Sequence, residues 1–316
     1  MRIAVQGAGA MGSYFGGVLA RAGEDVTMLA RGVGLEALRS RGLTVRSPRL
    51  GDFTVPVTAL DSTAAPETWG AQEPMDLILF CVKTYDTESA AESIRGLVGP
   101  ETVVVSVQNG VDSAERIGRV IGPQSLVGGV AQVSVVMAEP GVVVARMEPA
   151  ILRIGELADG VSPRILRLVP MLERAGIVVE QRSDITQAIW EKYLFICALS
   201  GVTALTRLPL GPLMEHAETR ALLRAVLDEV AAVARALGVG LPDDAAERIF
   251  TGLARFAPGL RGSMADDLLA GKRLEVDALN GEVARLGERL GVPTPTNRVI
   301  AAALAPYRDG RPEAAL

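Results

Sequence analysis

The spacing of apolar positions changes character along the chain, and the change divides it in two. Arg2-Ile3-Ala4-Val5-Gln6 is a short apolar run, Gly7 to Gly12 a glycine-rich interruption, and Tyr14 to Arg21 an amphipathic stretch. That succession predicts a strand, a tight turn and a helix. Val26-Thr27-Met28-Leu29-Ala30 predicts a second strand, a hairpin is expected around residues 43–58, and residues 76–82 and 102–107 are continuous apolar runs. Strands without alternation belong to a sheet covered on both faces. Residues 126–136, 141–146, 151–154 and 177–180 are expected to extend that sheet with further strands. From Asp184 the period becomes helical, over 185–207, 213–237, 243–256 and 275–290, with a last helix after Pro293 and Pro295. The pattern predicts an α/β fold: a sheet-based domain over residues 1–183, then an all-helical domain over 184–316.

The glycines at the first turn have a chemical reading. In Gly7-Ala8-Gly9-Ala10-Met11-Gly12 the first glycine makes the strand-to-helix turn, the second removes the side chain that would face a diphosphate, and the third lets helix pack on strand. The amides around Ala10 and Met11 then open the helix, where an anion is favoured. This predicts a Rossmann-type dinucleotide-binding domain, with Gly7, Gly9, Ala10, Met11 and Gly12 as cofactor residues. The second strand ends in Ala30-Arg31-Gly32, where an NAD site would carry an acid for the ribose 2′-hydroxyl. A guanidinium there suits a 2′-phosphate, so NADPH is the expected cofactor. Ligands of such sheets bind beyond the carboxyl ends of the strands, in this case towards the helical domain.

Composition narrows the partners. A chain of 316 residues with 49% apolar content can bury a large core. Its net charge of −5, without a basic run, argues against nucleic acid. Cys81 and Cys197 each lie in an apolar run and read as core thiols; with a single histidine, His216, no metal constellation is expected. The first strand starts at Arg2, which leaves no room for a signal peptide, and the apolar stretch 193–205 is interrupted and short for a bilayer. A cytoplasmic protein with a small-molecule substrate and no membrane partner is expected, and a homodimer is plausible from the length of the helical domain.

Arginine outnumbers lysine 29 to 3, so Lys83, Lys192 and Lys272 have each escaped a strong compositional drift. Lys272, beside Arg273 in a polar turn, reads as a remnant. Lys83 follows one predicted strand and Gln108-Asn109-Gly110 another, so both polar sets lie at the same sheet edge as the glycine turn. The alternative for Lys83 is a polar turn into a helix, and Asn109-Gly110 is by itself a common turn dipeptide. Lys192 sits in Trp190-Glu191-Lys192-Tyr193-Leu194-Phe195 on the first helix of the second domain. Desolvation would lower its pKa towards neutrality, as suits a proton donor to a developing alkoxide, although a snorkelling lysine would read the same way.

Together these motifs resemble the ketopantoate reductases (2-dehydropantoate 2-reductases) over nearly the whole chain. The glycine fingerprint with Arg31, then Val82-Lys83, Val107-Gln108-Asn109-Gly110 and Trp190-Glu191-Lys192 match in order. The tail matches too: Gly262-Ser263-Met264-Ala265-Asp266-Asp267, Leu274-Glu275-Val276-Asp277-Ala278-Leu279-Asn280-Gly281 and Gly291-Val292-Pro293-Thr294-Pro295. The resemblance implies a C-terminal domain like that of 6-phosphogluconate dehydrogenase and a role in pantothenate biosynthesis. It implies that Lys192 protonates the ketone oxygen, that Glu275 binds the substrate hydroxyl, supports the lysine and borders the cofactor, and that Ser263 binds the carboxylate. Asn109 and Lys83 match positions lining the nicotinamide side. Glu275 also reads as a helix N-terminal acid, and Ser263 as a helix cap.

The chain departs from this family on the Lys192 helix. Asparagines are typical one and two turns later, at spacings that face the substrate, and here those positions are Ile196 and Ser200. The expected function is NADPH-dependent reduction of ketopantoate or a related 2-oxo acid to the 2-hydroxy acid. The alternatives are reduction of a less polar ketone, or a module that senses NADPH without turning it over. His216 lies away from every motif and is expected at a surface or between helices.

Overall fold

The computed structural model describes residues 1–64, 73–158, 160 and 162–312. It comprises two compact units, residues 1–108 with 112–188 and residues 109–111 with 189–316. Among the described residues the first carries a ten-stranded sheet in the order β4 (Phe53–Val55), β3 (Leu43–Arg46), β9 (Val142–Gly155), β8 (Leu126–Glu139), β7 (Val103–Ser106), β6 (Leu77–Phe80), β1 (Arg2–Gln6), β2 (Asp25–Ala30), β5 (Thr58–Asp61), with β10 (Val178–Gln181) paired to β9. The strands that place the candidate residues are β1 (Arg2–Gln6), β2 (Asp25–Ala30), β6 (Leu77–Phe80) and β7 (Val103–Ser106). All pair in parallel, with Ile3 opposite both Val26 and Leu77, and Leu77 opposite Val103.

The continuous apolar runs are covered on both faces, as their pattern predicts. Ile3 and Val5 of β1, Leu77 and Leu79 of β6, and Val103 and Val105 of β7 enter one core. Ala4, Ile78, Phe80 and Val104 enter the core on the opposite face. After β1 the chain pairs β2 on one side of it and β6 on the other. In open α/β sheets such a reversal, here at the carboxyl ends of β1 and β6, is the usual ligand position.

The expected hairpin is formed by β3 (Leu43–Arg46) and β4 (Phe53–Val55), and residues 58–61 start a separate strand, β5 (Thr58–Asp61), beside β2. The runs 141–146 and 151–154 join into one strand, β9 (Val142–Gly155), antiparallel to β8 (Leu126–Glu139) with register shifts between them. Arg146-Met147-Glu148-Pro149 breaks the apolar pattern without ending the strand.

The second unit is helical. Its first helix, α6 (Ile185–Thr206), begins in the preceding unit and is 22 residues long. By length and composition α6 could cross a membrane, which the shorter sequence estimate did not anticipate; in this fold it is a core helix. Tyr193, Leu194, Cys197, Ala198 and Val202 are at most 1% exposed, among side chains of the surrounding helices. The expected helix over 213–237 divides into α7 (Leu210–Glu215) and α8 (Ala217–Ala236), because His216 is extended (φ −97°, ψ 132°) and caps α8 from an exposed position. The helix expected over 243–256 is confined to α9 (Ala245–Leu253). Two elements carry functional interest: the short α10 (Ser263–Leu269), and a π-helical turn (Asp277–Gly281) that leads into α11 (Glu282–Leu290). α12 (Pro295–Leu304) follows, with its proline at the start.

Candidate active site

Each glycine of the first turn has a distinct steric role. Gly7 takes φ +102°, and a Cβ there would lie 2.9 Å from the backbone nitrogen of Val82. A Cβ on Gly12 would overlap the carbonyl of Gly7 and press on Val5 and Cys81, so only glycine lets α1 (Ala10–Arg21) pack onto β1 and β6. A Cβ on Gly9 would meet nothing within 4 Å. The fold therefore does not need glycine at position 9, whereas a backbone-approaching ligand does. Gly9 also caps α1, whose first turn has no acidic side chain and no side-chain cap, so its amides suit an anion. These features fit a dinucleotide pyrophosphate. Burial pushes the thiol of Cys81, packed near Gly12, up to about 12, so it stays protonated at neutral pH.

Arg31 stands at the end of β2, its side chain 65% exposed, and its guanidinium donates to Asp86 Oδ2 at 2.8 Å. Asp86 belongs to the 3-10 turn Thr84–Asp86, which Lys83 caps with extended backbone after β6. The turn is anchored from behind by Arg116 on α4 (Ser113–Ile121), which donates to the Thr84 carbonyl and pairs with Glu88. Gln108 joins in, donating to the Val82 carbonyl and the Thr87 hydroxyl. Hydrogen bonds thus tie the turn after Lys83 to Arg31 on one side and to Arg116 and Gln108 on the other. Sequence reasoning missed Asp86 as the partner of Arg31.

In the helical unit, Lys192 is half-buried on α6, with Ile196 one turn later and also half-buried. Ser200, two turns later, is buried against Gly262, where any Cβ would overlap it. Thr203 on the same helix accepts a hydrogen bond from the Gly262 amide and donates to the Leu199 carbonyl. The sequence placed Ser200 towards the substrate; the structure uses it to dock the start of α10. Gly262 takes the cap position of α10, so Ser263 is the exposed first residue of the helix and does not cap it. Asn109 is half-buried and groups with this unit rather than with the strand it follows.

Glu275 is 5% exposed and sits two residues before the π-helical turn, where its carbonyl accepts from the amides of Ala278 and Leu279. The turn contains a non-helical residue, Leu279 (φ −102°, ψ −108°), which diverts carbonyls from the helical ladder. The Tyr193 hydroxyl, next to Lys192 in sequence, serves them: it lies 3.0 Å from the Ala278 carbonyl and 2.7 Å from that of Leu279. Asn280, fully buried, donates its amide to the Cys197 carbonyl on α6 and to Asn297 Oδ1 on α12. Asn297 in turn donates to Glu229, whose carboxylate also accepts the amides of Thr296 and Asn297. A Cβ on Gly201 would lie 2.5 Å from Asn280 Oδ1, so glycine at 201 admits this side chain against α6. The Asn280-Gly281 dipeptide was visible in the sequence; that it braces the Glu275 segment was not.

The sequence matches the family described as Ketopantoate reductase PanE/ApbA over residues 3–159, and its C-terminal counterpart over 184–308. The chain belongs to the ketopantoate reductase family. A relative from Mesorhizobium japonicum named 2-dehydropantoate 2-reductase is 31% identical over 94% of both chains. Another of that name, from Archaeoglobus fulgidus, is 31% identical over 95% of both. The crystal structure of a PanE/ApbA family ketopantoate reductase from Ralstonia eutropha JMP134 superposes with a TM-score of 0.87, at 37% identity and 98% coverage of each chain. A D-mandelate dehydrogenase structure with NADH and anilino(oxo)acetate has a TM-score of 0.88 at 21% identity, which establishes a shared fold only. As a ketopantoate reductase family member, the protein is a nicotinamide-dinucleotide-dependent oxidoreductase acting on a carbonyl group.

Proposed function

We propose that the protein reduces ketopantoate or a related 2-oxo acid to the 2-hydroxy acid in the cytoplasm, with NADPH as the reductant. Ketopantoate is the substrate named for several relatives of about the same length, and the glycine turn and Arg31 suit a dinucleotide bearing a 2′-phosphate. When bound, the reduced nicotinamide supplies a hydride to the carbonyl carbon. Lys192 supplies the proton to the carbonyl oxygen, so that one hydride and one proton convert the ketone to a secondary alcohol. Glu275 supports Lys192, Ser263 takes the substrate carboxylate, and Lys83 and Asn109 border the nicotinamide.

Lys192 carries this reading. It is half-buried on a core helix, in the same unit as the buried Glu275 and the exposed Ser263 hydroxyl. A module that only senses dinucleotide would need none of the three. The test is consumption of NADPH over a panel of 2-oxo acids that includes ketopantoate. Turnover abolished by Lys192→Ala with NADPH binding retained supports the reading; NADPH binding with no turnover on any 2-oxo acid overturns it in favour of a sensor.

A further inference from the structure

From Lys192 onward, the face of α6 that carries it is lined by apolar side chains as far as Leu199. Positions 192, 195, 196 and 199 fall in one stripe of a helix, and they are Lys192, Phe195, Ile196 and Leu199. The first three are half-buried, whereas Tyr193, Leu194, Cys197 and Ala198 between them are at most 1% exposed. Helical side chains lean towards the N-terminus of their helix, so Phe195 and Ile196 cover the turn from which Lys192 projects. The next polar side chains along the helix both meet Gly262. Thr203 bonds Leu199 and Gly262, and Ser200 is packed against Gly262. The loop after α9 adds a third apolar group: Phe256 stacks on Phe195, ring centroids 5.2 Å apart and planes tilted by 36°, yet remains 39% exposed. An aromatic ring held on one side by a stacked partner and left open on the other is half of an apolar wall.

We infer that the preferred substrate is a 2-oxo acid whose group beyond the ketone is branched and wholly apolar, packing against Phe195, Ile196 and Phe256. This rests on the reading of Lys192 as the proton donor. Ketopantoate carries a hydroxyl on that group. A hydroxyl set against this wall loses its water and finds no partner among those three side chains, and the enzyme discriminates against it.

Two substrates that differ by that one hydroxyl decide the matter: ketopantoate and 3,3-dimethyl-2-oxobutanoate. The wild-type enzyme with NADPH should show a kcat/KM for the deoxy compound higher by about tenfold to a hundredfold, the range by which an apolar pocket rejects an added hydroxyl. Ile196→Asn should narrow or reverse that ratio, with the Kd for NADPH unchanged. Phe256→Ala, at a partly exposed loop position, should depress the deoxy substrate more than ketopantoate. Equal or better turnover of ketopantoate by the wild type overturns the inference, and would mean that Glu275 takes the hydroxyl in spite of the wall. No turnover of any 2-oxo acid is a different result, because it removes the proposed activity rather than the preference. Should Ile196→Asn fail to fold, the wild-type pair alone still decides.

Discussion

The Tyr193 hydroxyl lies 2.7 Å from the carbonyl of Leu279, the residue whose non-helical backbone breaks the turn after Glu275. The two are 86 positions apart, and the bond ties the Glu275 segment to the residue adjoining Lys192. Tyr193→Phe takes a buried donor from the Ala278 and Leu279 carbonyls, of which Leu279 keeps the Glu282 amide. It should destabilise the protein by about 1 to 3 kcal/mol, read as a lower urea midpoint with unchanged slope. If the bond also positions Glu275, kcat should fall several-fold while KM and NADPH affinity hold. A stability loss with kcat intact would confine Tyr193 to a structural role.

Lys192→Arg keeps the charge and most of the stem but removes a group able to release a proton near neutral pH. Both Lys192→Arg and Lys192→Ala should lower kcat by roughly a hundredfold or more with NADPH binding preserved. Near-normal turnover by the arginine variant would eliminate Lys192 as the donor.

Where a signal was local, the chain could be read directly. The glycine turn between β1 and α1 is defined within a dozen residues, and the apolar runs of β6 and β7 follow from burial on both sheet faces. What escaped is long-range or short. Asp86 holds Arg31 across 55 positions, and no pattern at either end announces the pair. α10 has seven residues, too few to show a helical period against its two aspartates. Ser200 has the spacing of a substrate-facing residue, but the close approach of Gly262 makes it a packing contact. At His216, where the helix expected over 213–237 divides, Thr219 donates to the Leu213 and His216 carbonyls and Arg220 to those of Met214 and Glu215, local bonds that the apolar period does not announce.

Arg31 should decide between the two nicotinamide cofactors. Its exposed pair with Asp86 contributes little to stability, on the order of 0 to 1 kcal/mol. A 2′-phosphate would bond the same guanidinium with greater charge. Arg31→Ala should therefore weaken NADPH by about 1.5 to 3 kcal/mol, leave NADH nearly untouched and hardly move the melting temperature. Asp86→Asn removes a carboxylate that competes for the guanidinium, and should tighten NADPH relative to NADH by an amount that shrinks as salt is added. Titration of both cofactors by fluorescence at two ionic strengths checks the pair. Equal losses for NADH and NADPH in Arg31→Ala would show that the residue does not read the 2′-phosphate.

Gly9 and Gly12 separate binding from folding at one turn. At Gly9 the backbone is extended (φ −72°, ψ −173°), which any residue adopts, and an added methyl group meets no atom within 4 Å. Gly9→Ala should fold with an unchanged melting temperature and yet bind dinucleotide poorly, because the methyl group stands where the pyrophosphate must approach the amides of α1. At Gly12 the methyl group would overlap the Gly7 carbonyl inside the β1–α1 turn, so relief requires α1 to move off the sheet. Gly12→Ala should lose stability by about 1 to 3 kcal/mol, the usual range for overpacking, before any ligand is added. Calorimetry with and without NADPH distinguishes the two: the first variant should lack the ligand-induced rise in melting temperature, and the second should start from a lower one. A Gly9→Ala variant that NADPH stabilises as well as it does the wild type would place the diphosphate elsewhere on the sheet edge.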